Sequence, residues 1–147
     1  MATLQGANKT IIDAITPSTV LTPGKMGGNV RCMVDTYTGL GTESANDTIE
    51  MGTDLPKGAT ILNVILRMNA TGTTAHVGDA EDPNRYIDTG ADNTTTLSND
   101  LYTTGVGYEI TDVEATSPYD SQILVTILTG AVTAAGTIDL IVLYTAE

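Results

Sequence analysis

Two segments near the end of the chain decide the fold: Gln122-Ile123-Leu124-Val125-Thr126-Ile127-Leu128-Thr129 and Thr137-Ile138-Asp139-Leu140-Ile141-Val142-Leu143-Tyr144-Thr145. In the second, Ile138, Leu140, Val142 and Tyr144 recur at every other position, which is the side-chain period of a strand and not of a helix. Ile141 and Leu143 fall on the opposite face, so this strand reads as central in its sheet or covered on both sides. The connection from Gly130 to Gly136 is short and reads as the loop of a β-hairpin joining the two segments.

Upstream, the same period returns. Ala59 to Asn69 has Thr60, Leu62, Val64, Leu66 and Met68 on one face and Ile61, Asn63, Ile65 and Arg67 on the other, which makes the first the core face. Val30, Cys32 and Val34 alternate with Arg31, Met33 and Asp35 as in a half-buried strand. Cys32 is the single cysteine, cannot pair within the chain, and is expected as a buried thiol in this run. Thr48 to Met51 offers a short strand, and Asp54-Leu55-Pro56-Lys57-Gly58 has the proline and glycine of a tight turn. Thr73 to Val77 and Arg85 to Ile87 bracket an acidic loop, Gly78-Asp79-Ala80-Glu81-Asp82-Pro83. Thr94 to Leu97 and Tyr108 to Thr111 are weaker strands between glycines. Seven to nine short strands with turn signals between them and no helix predict an all-β fold, an antiparallel β-sandwich or jelly roll. Residues 30–147 are read as a single β-sandwich domain. Residues 1–29, broken by Pro17, Pro23, Gly24, Gly27 and Gly28, are read as an extended N-terminal arm, the alternative being a strand at Thr19 to Thr22 tucked onto a sheet edge.

The chain has 147 residues without Trp or Phe, so Ile, Leu, Val, Met and six tyrosines must fill the interior. A domain of this length buries roughly 68–70% of the surface its unfolded chain exposes and needs no disulfide or metal to hold a core. The net charge is −12, and it is uneven. All six basic residues (Lys9, Lys25, Arg31, Lys57, Arg67, Arg85) lie in the first 85 positions with nine acids, and the remaining 62 positions carry nine acids and no Lys or Arg. Such a surface repels nucleic acid and anionic membranes, both of which require cationic neutralisation of phosphate. No apolar run approaches the ~18 residues of a membrane span, and residues 1–20 lack a secretory pattern, so a soluble protein made in a cytoplasm is expected.

Candidate chemistry is sparse. Asp88-Thr89-Gly90, followed by Ala91, matches the motif of retroviral-type aspartic proteases, small dimeric enzymes in which one aspartate from each subunit shares a proton. The Gly-Arg-Asn or Gly-Arg-Asp partner motif is missing, since no arginine follows Arg85, and the segment reads as a plain turn. Asp79, Glu81 and Asp82 supply oxygen for a calcium site, but not at the spacing of an EF-hand, and solvated loop acids are the plainer reading. Pro83 and Arg85 suit a local ion-paired turn. His76 has no second imidazole or cysteine beside it for zinc, and no serine lies in a nucleophile elbow for a triad. No enzymatic activity and no cofactor is expected.

Three motifs in order carry a resemblance: Leu55-Pro56-Lys57-Gly58-Ala59-Thr60-Ile61-Leu62; the loop Val77-Gly78-Asp79-Ala80-Glu81-Asp82-Pro83-Asn84-Arg85-Tyr86-Ile87; and the apolar strand Gly136 to Tyr144. Together they resemble small structural proteins of tailed-phage virions of the head decoration or cement type. The resemblance implies a non-enzymatic protein on the capsid surface of the virion, a homo-oligomer, expected as a trimer, and a partner that is the major capsid protein or another virion protein. A tail or fibre-attachment component is the alternative. Lys9, Lys25 and Arg31, in or just after the arm, are the expected partner-binding residues.

Overall fold

The computed structural model describes residues 29–70, 72–91, 95–97, 107–111, 120–130 and 134–146. These form eight strands: β1 (Asn29–Thr38), β2 (Thr48–Met51), β3 (Thr60–Asn69), β4 (Thr74–Gly78), β5 (Ile87–Ala91), β6 (Thr95–Leu97), β7 (Ile123–Thr129) and β8 (Thr137–Ala146). They make two antiparallel four-stranded sheets, in the orders β1-β8-β3-β6 and β2-β7-β4-β5. First pairs with last, second with seventh, third with sixth and fourth with fifth, and successive pairs alternate between the sheets. That is the winding of a long antiparallel ribbon rolled on itself, a jelly-roll-like sandwich.

The core lies between the sheets. Ile138, Leu140 and Val142 of β8 and Val64, Leu66 and Met68 of β3 meet Ile123, Val125 and Ile127 of β7 and Ala75 and Val77 of β4, all in one buried cluster. Each fully buried Ile, Leu or Val contributes roughly 1.5–3 kcal/mol. Tyr86 is the largest fully buried side chain among the described residues, a place that Phe or Trp takes in other cores. The turn after β2 is as expected: the Ala59 amide donates to the Pro56 carbonyl at 3.0 Å, and Gly58 stands at φ +84° in the third position of that turn.

Several expectations need correction. The segments β7 and β8 are not a hairpin, because each is an inner strand of a different sheet. β7 finds its partners in β2 and β4, and β8 in β1 and β3. Just past β7, Gly130 has φ +70°, and a Cβ there would lie 2.4 Å from the Gly72 carbonyl oxygen, so the position requires glycine.

The faces of β3 are correct only beyond Asn63. A register shift between Ile61 and Asn63 inserts one residue into the strand, so Ile61 is fully buried while Leu62 is 38% exposed.

Cys32 is exposed. Met33 is the residue of β1 that turns inward, into space left by Gly52, where a Cβ would sit 2.2 Å from the Met33 sulfur. Asp35 shares that inward side, its carboxylate accepting from the Gly52 amide at 2.7 Å. Val30, Cys32 and Val34 therefore point out of the sandwich.

Finally, Asp88-Thr89-Gly90 is not a turn but the middle of β5, which begins at Ile87 and not at Arg85. Residues 107–111 run beside β3 with a single ladder bridge, Thr60 to Glu109, in place of a full strand. The proposed arm, with Lys9, Lys25 and the Thr19 to Thr22 alternative, lies outside the described residues.

Candidate assembly surface

Two features stand out from the scaffold: a polar cluster at the β4–β5 loop, and an apolar outer face on the sheet that contains β8.

The loop begins where β4 ends. At Gly78 a Cβ would stand 2.1 Å from the Asp82 carbonyl oxygen, so the loop folds back over a residue with no side chain. This brings Asp79 inward, to zero exposure. Its Oδ1 accepts from the amides of Glu81 at 3.0 Å and Asp82 at 2.9 Å, and its Oδ2 accepts from Arg85 Nε at 2.5 Å. Arg85 also reaches Glu81 at 3.3 Å and lies 4.0 Å from the centre of the Tyr108 ring. Burial opposes the charge on Arg85, but Asp79 beside it raises the guanidinium pKa above its ordinary value. The calcium candidates are thus not assembled as a ligand set. Asp79 is a buried partner of Arg85 and not a solvated loop acid, and the expected ion-paired turn is present.

Tyr86, packed below, donates weakly to Asp79 at 3.5 Å, and burial first, then the Asp79 charge, pushes its hydroxyl pKa far up. Tyr108 donates to Asp120 at 2.7 Å, and burial followed by that hydrogen bond raises it to about 12. Asp120 also accepts from the Thr111 amide at 2.9 Å and hydroxyl at 3.0 Å. These tyrosines are proton donors held neutral, and they lock loops together. Sequence reading missed Asp120, which carries no motif and owes its role to a partner nine or more positions away.

His76 contacts the Asp88 carbonyl through Nδ1 and lies 3.9 Å from the Asp88 carboxylate. That carboxylate is 76% exposed and accepts from Asn84 at 2.7 Å. Among the described residues, no group of three or more His, Cys, Asp or Glu side chains could hold a metal ion.

The second feature is the outer face of the β1-β8-β3-β6 sheet. Register places Cys32 opposite Leu143 and Val34 opposite Ile141, which in turn lies opposite Ile65. Val30 and Val34 are each 63% exposed, and with Leu62 they are three of the four exposed large hydrophobics among the described residues. Ile65, Ile141 and Leu143 are half-buried between them. The expectation that β8 is central is met. Its second apolar face, however, is part of a surface and not of a core. A contiguous apolar patch of this kind marks interaction surfaces in folded proteins. Arg31, at the end of the same strand, is exposed.

No family model matches the sequence, and no curated protein does. Solved structures do. The chain is similar to a chain in the capsid asymmetric unit of cyanophage Pam1, with a TM-score of 0.63 and 22% identity over 92% of this chain and 96% of that one. It is similar to a chain in the capsid of Ralstonia phage GP4, with a TM-score of 0.58 and 20% identity over 82% and 86% of the two chains. A third similarity is to a chain in the acid-stable capsid of the Helicobacter pylori bacteriophage KHP30, with a TM-score of 0.53, 18% identity and 80% and 87% coverage. The shared property is the fold, over nearly the whole length of both partners.

Proposed function

We propose that this chain is a structural protein of a phage virion, stationed on the capsid surface as a decoration or cement protein that stabilises the head. The observation that carries the reading is the near-complete mutual coverage, 92% and 96%, with a chain of a phage capsid. Two further capsid chains of similar length support the same reading.

The surface chemistry agrees with it. The acidic chain is unsuited to genome contact, and the polar cluster around Asp79 and Asp120 ties loops together with its donors and acceptors turned toward one another. The apolar outer face suits a protein that works by touching other proteins.

The test is to purify particles from infected cells, count copies of this chain by quantitative mass spectrometry, and locate it by cryo-electron microscopy. Many copies spread over the head are expected. A few copies confined to the tail, or none in the particle, would overturn the proposal.

A further inference from the structure

We propose that two copies of this chain associate through the free edge of β1, in an antiparallel pairing about a two-fold axis at Met33, which fuses the two outer sheets into one.

Among the described residues β1 has a strand neighbour only on its β8 side. Its free edge is long, ten residues, and has no bulge in its register with β8. The hydrogen bonds say which backbone groups face outward. The Gly39 amide, just beyond β1, donates toward Gly136, so the odd positions are those bonded to β8. The even positions, Val30, Cys32, Val34 and Thr36, therefore turn their N–H and C=O groups to the open side. Thr36 bears this out: its amide is taken by the carboxylate of its own neighbour Asp35, at 2.8 Å, and not by a strand.

Because only even positions offer outward backbone groups, an antiparallel partner copy can pair only in registers whose two-fold axis passes through a residue. Charge then selects among them. An axis at Arg31 sets two guanidinium groups face to face, and an axis at Asp35 sets two carboxylates face to face; like charges directly opposite destabilise a sheet. An axis at Cys32 leaves Arg31 opposite the partner's Met33, and an axis at Val34 leaves it opposite the partner's Tyr37. An axis at Met33 puts Arg31 opposite the partner's Asp35 and Asp35 opposite the partner's Arg31. Both ion pairs form at once, in closely spaced positions where side chains meet. Cys32 then faces the partner's Val34 in a hydrogen-bonded pair, and the apolar stripe on one copy continues into that of the other.

Charged residues on an edge strand often serve to prevent such pairing. A guard of one sign would do so against any copy. Arg31 and Asp35, of opposite sign and equally spaced about Met33, instead complement themselves, as a two-fold interface requires. Arg31 is exposed and Asp35 half-buried, and although the Asp35 oxygens each accept one amide, from Thr36 and from Gly52, a carboxylate has about four acceptor sites, so room remains for a guanidinium. This association is a property of the isolated protein, departs from the trimer that the resemblance implies, and holds whatever the protein's station in the virion.

Three measurements on the full-length chain decide it. Sedimentation equilibrium at micromolar concentration is expected to give a dimer. Arg31→Asp turns both attractive pairs repulsive and is expected to weaken association at least about tenfold, while Arg67→Asp, away from the edge, leaves it unchanged. Register is read by mixing the natural chain with a Cys32→Ser/Val34→Cys variant under oxidised glutathione. Opposed residues of a hydrogen-bonded pair stand about 5.5 Å apart at Cα, within disulfide reach. Disulfide-linked dimers are therefore expected in the mixture, between Cys32 of one chain and the introduced cysteine of the other, in excess over dimers of either protein alone. A monomer, in which the edge is covered by another segment or another virion protein, would overturn the proposal. So would a trimer, an Arg31→Asp dimer of full strength, or Cys32-to-Cys32 links as the main product.

Discussion

Asp79 has no exposed surface, and its oxygens accept from two backbone amides and from Arg85. Removing one member of a buried pair strands the other, at a cost of about 3–5 kcal/mol. Arg85 keeps some solvent contact, with 17% of its side chain exposed, which puts the expected loss for Asp79→Ala at the lower end, about 3 kcal/mol, measured by urea denaturation. Glu81→Ala, whose carboxylate is on the surface side of Arg85, should cost under about 1 kcal/mol. A loss at Asp79 no larger than that at Glu81 would mean that the loop does not depend on the pair. Glu43 gives a pH test of the same kind. The Tyr37 hydroxyl donates to it at 2.5 Å, and with the amides of Leu40 and Thr42 holds its pKa at about 2 in place of 4.5. The folded state thus gives up this charge later than the unfolded chain does as pH falls. The stability it provides is complete above pH 4.5 and is lost progressively toward about 2. Glu43→Gln is expected to be less stable than the natural protein near neutral pH. The two denaturation midpoints should converge as pH falls through that window, and a constant difference would rule the linkage out.

At the scale of elements, β3 supplies the sharpest contrast between alternation and structure. Counting by twos from Val64 puts Leu62 in the core and Ile61 outside, and the inserted residue between Ile61 and Asn63 reverses the two. Ile61→Ala is expected to destabilise by about 2–5 kcal/mol and Leu62→Ala by under about 1 kcal/mol, read from chemical denaturation. The opposite ranking would remove the bulge. That bulge was not legible because both of its residues are apolar, so the hydrophobic pattern is silent about which one faces in. The same silence misplaced Cys32: Val30, Cys32 and Val34 make a better apolar series than Met33 alone, and what decides is the hollow at Gly52, just past the end of β2. The β7–β8 hairpin failed for a different reason. Sequence proximity favours a hairpin, but each strand carries its own core stripe, and the stripes are buried by facing each other across the sandwich. Legible elements were those with one answer: β2 with its bounds intact, the Pro56–Gly58 turn, the central place of β8 and the ion pairing of Arg85 in its loop.

For the whole molecule, composition had predicted that aliphatic residues and tyrosine would make the interior, and they do, with Tyr86 at full burial. Every member of the buried cluster among the described residues lies between Met33 and Val142. β1 begins at Asn29 and takes its pairing from β8, so the described strands complete both sheets among themselves. Deleting residues 1–28 should therefore leave a folded protein, with an unchanged far-UV circular dichroism spectrum and a thermal midpoint close to that of the full chain. What the deletion is expected to remove is attachment to particles, since Lys9 and Lys25 go with it. These are two of the six cations in a chain of net charge −12, and they are the charges with which the arm would pair with carboxylates of a capsid protein. Exposed ion pairs are worth only about 0–1 kcal/mol each and are screened by salt, so the arm must add apolar or strand contacts, and raising salt should weaken binding of the intact protein only modestly. Co-sedimentation with heads from a deletion phage measures both effects. A truncated protein that still decorates heads at full occupancy would assign the contact to the β-sandwich itself, and one that fails to fold would place the first 28 residues inside the core.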